Sequence, residues 1–249
     1  MNYQEINSAA VDRWVENGWE WGTPVSHDIF EKAKNGDWSV VLTPTIPVPR
    51  AWFGELKGKK LLGLASGGGQ QMPIFAAAGA ECTVLDYSRK QLEMEQLVSE
   101  REGYAIRTVH ADMTKPLPFE DESFDIIFHP VSNDYIKDVC HVFRECARIL
   151  KKGGVLLAGL GKEINFIVDE EEKNIVFKLP FDPTENEEYR RFLEKTDAGM
   201  QFSHTLEEQI GGQLKAGLRL TDIYEDTNGA GYLHELNVKT YMATRAVKD

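Results

Sequence analysis

The sequence predicts an α/β protein that is doubly wound on a mostly parallel seven-stranded sheet. Three observations lead there. From residue 60 short apolar runs alternate with helix-length stretches, which is the pattern of βαβ units. A turn of three glycines, Gly67-Gly68-Gly69, joins the first apolar run to the helix after it. The chain then closes on two strand-like runs, LTDIYED and VKTYMATRAV.

In order, LLGLA (61–65) reads as the first strand, QMPIFAAAGA as a helix and CTVLD (82–86) as the second strand. RKQLEMEQLVSERE is a helix whose apolar Leu92, Met94 and Val98 share a face imperfectly. IRTVHAD (106–112) is the third strand and FDIIFH (124–129) the fourth. VCHVFRECARIL is a helix, and the Lys151-Lys152-Gly153-Gly154 turn feeds VLLAGL, the fifth strand. Residues 161–210 break this rhythm and read as an insertion that forms a lid. There NFIVD and IVFKL flank an acidic run and suggest a β-hairpin, with the run 169–172 as a solvated turn. Thr205 and Glu208 have the spacing of a capping box for a helix that Gly217 ends.

The first 57 residues are compositionally distinct. All five tryptophans (Trp14, Trp19, Trp21, Trp38, Trp52) lie there, with Pro44, Pro47 and Pro49 stiffening the path to Trp52. Too few apolar residues are present for a separate core, so the stretch is expected to be a helical cap on a single domain. That domain divides into the cap (1–57), a cofactor-binding core (58–160), the insertion (161–210) and the closing strands (211–249).

Composition narrows the function. With 40 acidic and 28 basic residues the net charge is −12, so the average field repels polyphosphate backbones and anionic membranes. A small-molecule substrate is the expectation, with neither nucleic acid nor membrane as partner; the oligomeric state is left open. Three cysteines without CxxC spacing fit a reducing cytoplasm rather than a disulfide framework or a zinc site. The polar start lacks the regions of a signal peptide.

The glycine turn places bare backbone at a helix N-terminus, where a ligand can approach closely. A tight turn alone would also account for it. Asp86 ends the second strand, where a carboxylate can accept hydrogen bonds from both hydroxyls of a ribose. Ser88, two residues on, is the better helix cap and leaves Asp86 free for a ligand. A nicotinamide dinucleotide is the competing reading. Gly67 and Gly69 fill the first two places of G-x-G-x-x-G, but Met72 stands in the third.

Taken together, LLGLASGGGQQ, VLDYSRKQLE, HADMTKPLPFEDESFDIIFHP and RILKKGGVLL resemble the successive motifs of class I S-adenosylmethionine-dependent methyltransferases. The tail is similar to that family's closing hairpin, which implies an antiparallel last strand. The resemblance implies S-adenosylmethionine as cofactor and a binding set of Ala65, Ser66, Gly67, Gly69, Gln70, Asp86, Tyr87, Gln91, Asp112, Met113 and His129. In it Asp86 meets the ribose, Asp112 and Met113 the adenine, and His129 marks the strand-four edge. Two positions depart from the family pattern, for Gly63 stands where an acid is usual and Ala65 where a glycine is usual. Asp134 and Asp12 are the candidate substitutes for the acid. No metal is implied.

Transfer from a sulfonium needs alignment more than catalytic groups. For an acceptor that must lose a proton, His129 and His204 are the candidate bases, since imidazole titrates near neutrality. His110 is expected in the core and His141 on a helix surface. The acceptor pocket is expected between the tryptophans and the insertion, with the tryptophan-rich segment as a mobile lid. A non-catalytic S-adenosylmethionine-binding regulator and, less so, a nicotinamide-dependent reductase are the alternatives.

Overall fold

A computed structural model describes residues 2–249. The alternation that marked the apolar runs becomes two differently covered faces of one sheet. Strands β1 (Lys60–Leu64), β2 (Glu81–Asp86), β3 (Arg107–His110), β4 (Phe124–His129), β5 (Leu150–Gly161), β6 (Leu218–Asp226) and β7 (Tyr241–Lys248) stand in the order β3-β2-β1-β4-β5-β7-β6. Neighbours from β3 to β5 pair in parallel, and β7 lies antiparallel between β5 and β6. Side chains alternate across a strand, so Leu62, Leu64, Ile127 and Leu156 enter one core while Leu61, Ile126, Phe128 and Leu157 enter the other.

The first face is covered by α5 (Val139–Ile149), whose Val142, Phe143 and Cys146 have no exposed surface, with α7 (Leu206–Lys215) behind it. Thr205 and Glu208 form the expected capping box of α7, and Gly217, at φ +85°, follows its end. The second face receives α3 (Gln71–Ala77) and α2 (His27–Lys34), together with Trp52, Phe53 and Leu56. The remaining helices are α1 (Tyr3–Glu16), α4 (Arg89–Glu102), α6 (Glu187–Thr196) and the short α8 (Gly231–Glu235). None of the helices among the described residues is long and apolar enough to cross a membrane.

Chain direction decides where a ligand can go. Strand order reverses between β1 and β4, where successive connections cross to opposite faces and leave a crevice at the carboxyl ends.

Four expectations are corrected. The hairpin at 165–179 reduces to one bridge, Val168↔Ile175, and Ile175 is 75% exposed. Asp169 closes that turn by accepting from the Lys173 amide and the Asn174 side chain, so no ladder is needed. The acidic run is not wholly solvated either, because Glu172 accepts from Asn228 Nδ2 and the Leu233 amide. The tryptophans do not act as one group. Trp52 is buried on the second face and Trp38 packs edge-on against Phe53 and Phe75, whereas Trp14 and Trp19 pack together near Tyr135. Finally, His110 is exposed rather than in the core. Strand β3 is an edge, and its ring lies flat on Tyr87 at 5.4 Å.

Candidate active site

The turn after β1 is built by backbone conformations that favour glycine. Gly68 and Gly69 have φ of +98° and +69°, and Ala65 also takes the left-handed region at +48°. A residue with Cβ pays about 1–2 kcal/mol there, so Ala65 adopts the conformation a glycine would have had and is held by its amide bond to the Leu85 carbonyl. At Gly63 any side chain would collide with Met72 Sδ. The space next to β1 that an acid would need is filled by a thioether.

Two buried carboxylates grip the turn from beneath. Asp86 accepts the Gly67 amide at 3.1 Å on one oxygen and the Ser88 amide at 2.9 Å on the other. Burial pushes its carboxyl up to about 6 against the opposing pull of those amides. Ser88 caps α4 as expected, accepting the Gln91 amide. Glu95, with no exposed surface, accepts the Gly69 amide at 2.7 Å, and burial raises its carboxyl to about 8. The sequence reading missed Glu95; its one signal was an acid on the buried side of an imperfect helical face.

Above the turn lies a cleft of two lobes that share Trp19, Ala65, Gln91, Val131 and Tyr135. The smaller lobe, about 130 Å³, is walled by Asp86, Tyr87, Asp112 and Met113 with the apolar Leu85 and Ala111. The larger lobe, about 230 Å³, is walled by Ser66, Gly67 and Gln70 on one side and by Trp21, Phe166 and Tyr241 on the other. Nine of the eleven expected binding residues therefore meet at one cleft: Ala65, Ser66, Gly67, Gln70, Asp86, Tyr87, Gln91, Asp112 and Met113.

Gly69 and His129 do not line it. Gly69 faces α4, and both its backbone groups are used, the amide by Glu95 and the carbonyl by Val25. His129 has no exposed surface. Its Nδ1 is 2.9 Å from the Leu64 carbonyl and its Nε2 2.8 Å from Asn133 Oδ1, so both nitrogens are engaged in fixing β4 to β1 and the loop beyond. His204 is also buried, and its Nε2 donates to the carbonyls of Asn133 and Ile136. Burial lowers the pKa of both rings, which favours the neutral form. The expectation that either is a base open to substrate is corrected. His204 is a buried donor to backbone carbonyls of the loop 130–136, and His129 is held between the Leu64 carbonyl of β1 and the Asn133 side chain.

Helix α1 supplies wall residues that the sequence reading left unnamed. Gln4, Asn7, Ser8 and Val11 line the smaller lobe. Ser8 Oγ donates to the Tyr87 carbonyl, while Asn7 donates to the carbonyls of Tyr135 and Met200 and accepts the Met200 amide. The legible signal was a capping box at Asn2 and Glu5, which starts α1 and sets which face turns inward. Of the two candidate substitute acids, Asp12 accepts from Ser88 Oγ and the Lys90 amide outside the cleft walls. Asp134 stands in the larger lobe.

The donor set suits a nucleoside with a charged tail. Each Asp86 oxygen keeps a lone pair after its amide bond, and Ser66 Oγ and Gln91 Oε1 are buried without a partner. A Rossmann-like sheet with this site defines a nucleoside-cofactor enzyme of the class I kind. The comparisons make this specific. Residues 62–158 match the family model described as a methyltransferase domain. The chain is 43% identical over 250 residues to the uncharacterized methyltransferase YbaJ of Bacillus subtilis (strain 168), covering 97% of each. It is 28% identical to the ubiquinone biosynthesis O-methyltransferase of Chromobacterium violaceum, over 77% of this chain and 80% of the relative. An S-adenosylmethionine-dependent methyltransferase from Mesorhizobium loti shares the fold with a TM-score of 0.66 at 18% identity, covering 80% of this chain and 95% of that one. The chain belongs to the class I S-adenosylmethionine-dependent methyltransferases; S-adenosylmethionine is its cofactor and methyl transfer its reaction.

Proposed function

We propose that the smaller lobe holds the adenosine of the cofactor and the larger lobe the methionine tail and a small-molecule acceptor. The observation that carries this reading is the meeting of Asp86, Asp112 and the glycine turn at one crevice, beside a separate aromatic lobe. In it Asp86 accepts from the ribose hydroxyls, Leu85, Ala111 and Met113 enclose the purine, and Ser66, Gly67 and Gln70 follow the tail. The bound cofactor supplies an electrophilic methyl carbon on a sulfonium. The chain's part is alignment and exclusion of water, for which the aromatic wall and α1 above it are suited.

An acidic surface, with a net charge of −12, supports a small acceptor over a nucleic acid, and three free cysteines support a cytoplasmic setting. The division into cap, core, insertion and closing strands follows the same reading, with cap and insertion meeting over the crevice through Asn7 and Met200. The test is a thermal-shift comparison. S-adenosylhomocysteine at a hundredfold excess over its Kd should stabilise the protein by about 2.7 kcal/mol, and NAD or NADP should leave the melting temperature unchanged. Stabilisation by the nicotinamide cofactors alone would overturn the assignment of the lobes.

A further inference from the structure

The larger lobe contains one charged side chain. Among its wall residues Asp134 is the sole acid, and neither lysine nor arginine accompanies it. Asp134 is 7% exposed, and its Oδ1 is buried without a hydrogen-bond partner. Room for the carboxylate is made by Gly161, where any Cβ would collide with Asp134 Oδ2. Its backbone is pinned, since the carbonyl accepts the Phe202 amide at 2.7 Å. Burial alone pushes its carboxyl up to about 7, with no hydrogen bond offsetting the cost. An acid kept in this state has a use, because an unpaired buried polar group is otherwise costly.

Its position separates it from the cofactor's tail. Asp134 sits over Gly161 at the end of β5, and β4 lies between β5 and β1. Two strand spacings, about 10 Å, therefore separate it laterally from the glycine turn after β1. Around it stand aromatic walls from three parts of the chain: Trp19 and Trp21, Phe166, and Tyr241. Ring faces attract cations, and a carboxylate among them needs one.

Resting on the lobe assignment above, we propose that the methyl acceptor is an amine bound among these rings, and that Asp134 is the group that takes its proton. The ammonium form enters and pairs with the Asp134 carboxylate. One N–H proton passes to the carboxylate, freeing the nitrogen lone pair. That lone pair forms the new N–C bond to the methyl carbon as the C–S bond breaks, its electron pair staying on sulfur as a neutral thioether. The methylated nitrogen leaves as an ammonium, and Asp134 returns its proton to water. His129 and His204 are not available for this step, because neither lines the cleft.

The experiment is calorimetry on the full chain saturated with S-adenosylhomocysteine, with phenethylamine and its hydroxyl analogue 2-phenylethanol as probes. The parent should bind the amine at least tenfold more tightly than the alcohol. Asp134→Asn should lose that preference while its own affinity for S-adenosylhomocysteine stays within about twofold of the parent. Equal binding of the two probes by the parent overturns the proposal, as does failure of both to bind at millimolar concentration; neither result requires a variant to fold. A Asp134→Asn protein that keeps the amine preference and loses S-adenosylhomocysteine affinity tenfold also overturns it, and makes Asp134 the partner of the cofactor's own ammonium. Failure of the lobe assignment looks different, since the parent would then not bind S-adenosylhomocysteine at all.

Discussion

Glu95 and Asp86 hold the glycine turn by accepting one amide each, from Gly69 and Gly67. Both are buried, and they differ in what faces them: Asp86 borders the cleft, whereas Glu95 Oε2 is buried with no partner. Glu95 therefore carries the cost of burial whatever ligand is bound. Its carboxyl stands at about 8 in the folded protein against an ordinary 4.5. Between those values the folded chain holds a proton that the unfolded chain has released, so this group makes stability fall as pH rises. The buried His129 and His204, with pKa lowered from 6.5, act in the opposite sense below that value. Above pH 6.5 the raised acids Glu95 and Asp134 act together with His27, whose ring the Glu102 hydrogen bond raises above 6.5, and all three make stability fall as pH rises. Glu95→Gln keeps an oxygen to accept the Gly69 amide and removes the titration. Its melting temperature should fall less than the parent's from about pH 6.5 to 8, and parallel curves would show that Glu95 carries no such penalty.

At the scale of elements, the N-terminal segment is two devices rather than one. Residues 3–22 cross the cleft, with α1 over the smaller lobe and Trp19 and Trp21 on the wall of the larger. Residues from Trp38 to Leu56 instead pack mainly on the far face of the sheet, of which only residues 41–44 reach the wall of the larger lobe, and Thr43 and Thr45 are fastened to Asp226 at the end of β6. The sequence shows a tryptophan-rich stretch but not this division, because a ring on a core face and a ring on a pocket wall have the same composition. A fluorescence test of the lid must therefore remove the two core reporters. In a Trp38→Phe, Trp52→Phe background the remaining rings, Trp14, Trp19 and Trp21, report on the segment over the cleft. Saturating S-adenosylhomocysteine should shift or quench their emission, and unchanged emission would mean that α1 and the turn after it are fixed packing rather than a moving cover. The hairpin expected at 165–179 fails for a related reason. Its alternation was real, but Ile175 and Val176 find no sheet face to cover and stay exposed, while Phe166, Phe181, Tyr189 and Leu193 make a small core of their own.

For the molecule as a whole, the mostly parallel sheet and the crevice beside β1 follow from features that are local in sequence. Runs such as LLGLA and FDIIFH alternate between two covered faces, and Gly67-Gly68-Gly69 marks a strand-to-helix turn. The nine cleft residues came from the family resemblance, and it could carry them over because most lie at strand ends or in the turns that follow, with Gln91 on the first turn of α4. What was not legible depends on contacts distant in sequence. His129 was expected to face substrate because it ends β4, yet its ring turns to Leu64, 65 residues earlier, and to Asn133. Asp134 gains its setting from Gly161, and Asn7 from Met200, pairings that no local pattern announces. The claim on which the rest depends is that Asp86 holds the ribose of S-adenosylmethionine at this crevice. It is tested most directly by calorimetric titration of S-adenosylhomocysteine into the parent and into Asp86→Ala. A hydrogen bond to a charged group is worth about 1.5–3 kcal/mol, so the folded variant should bind at least tenfold more weakly than the parent; equal affinity in the two would contradict the assignment.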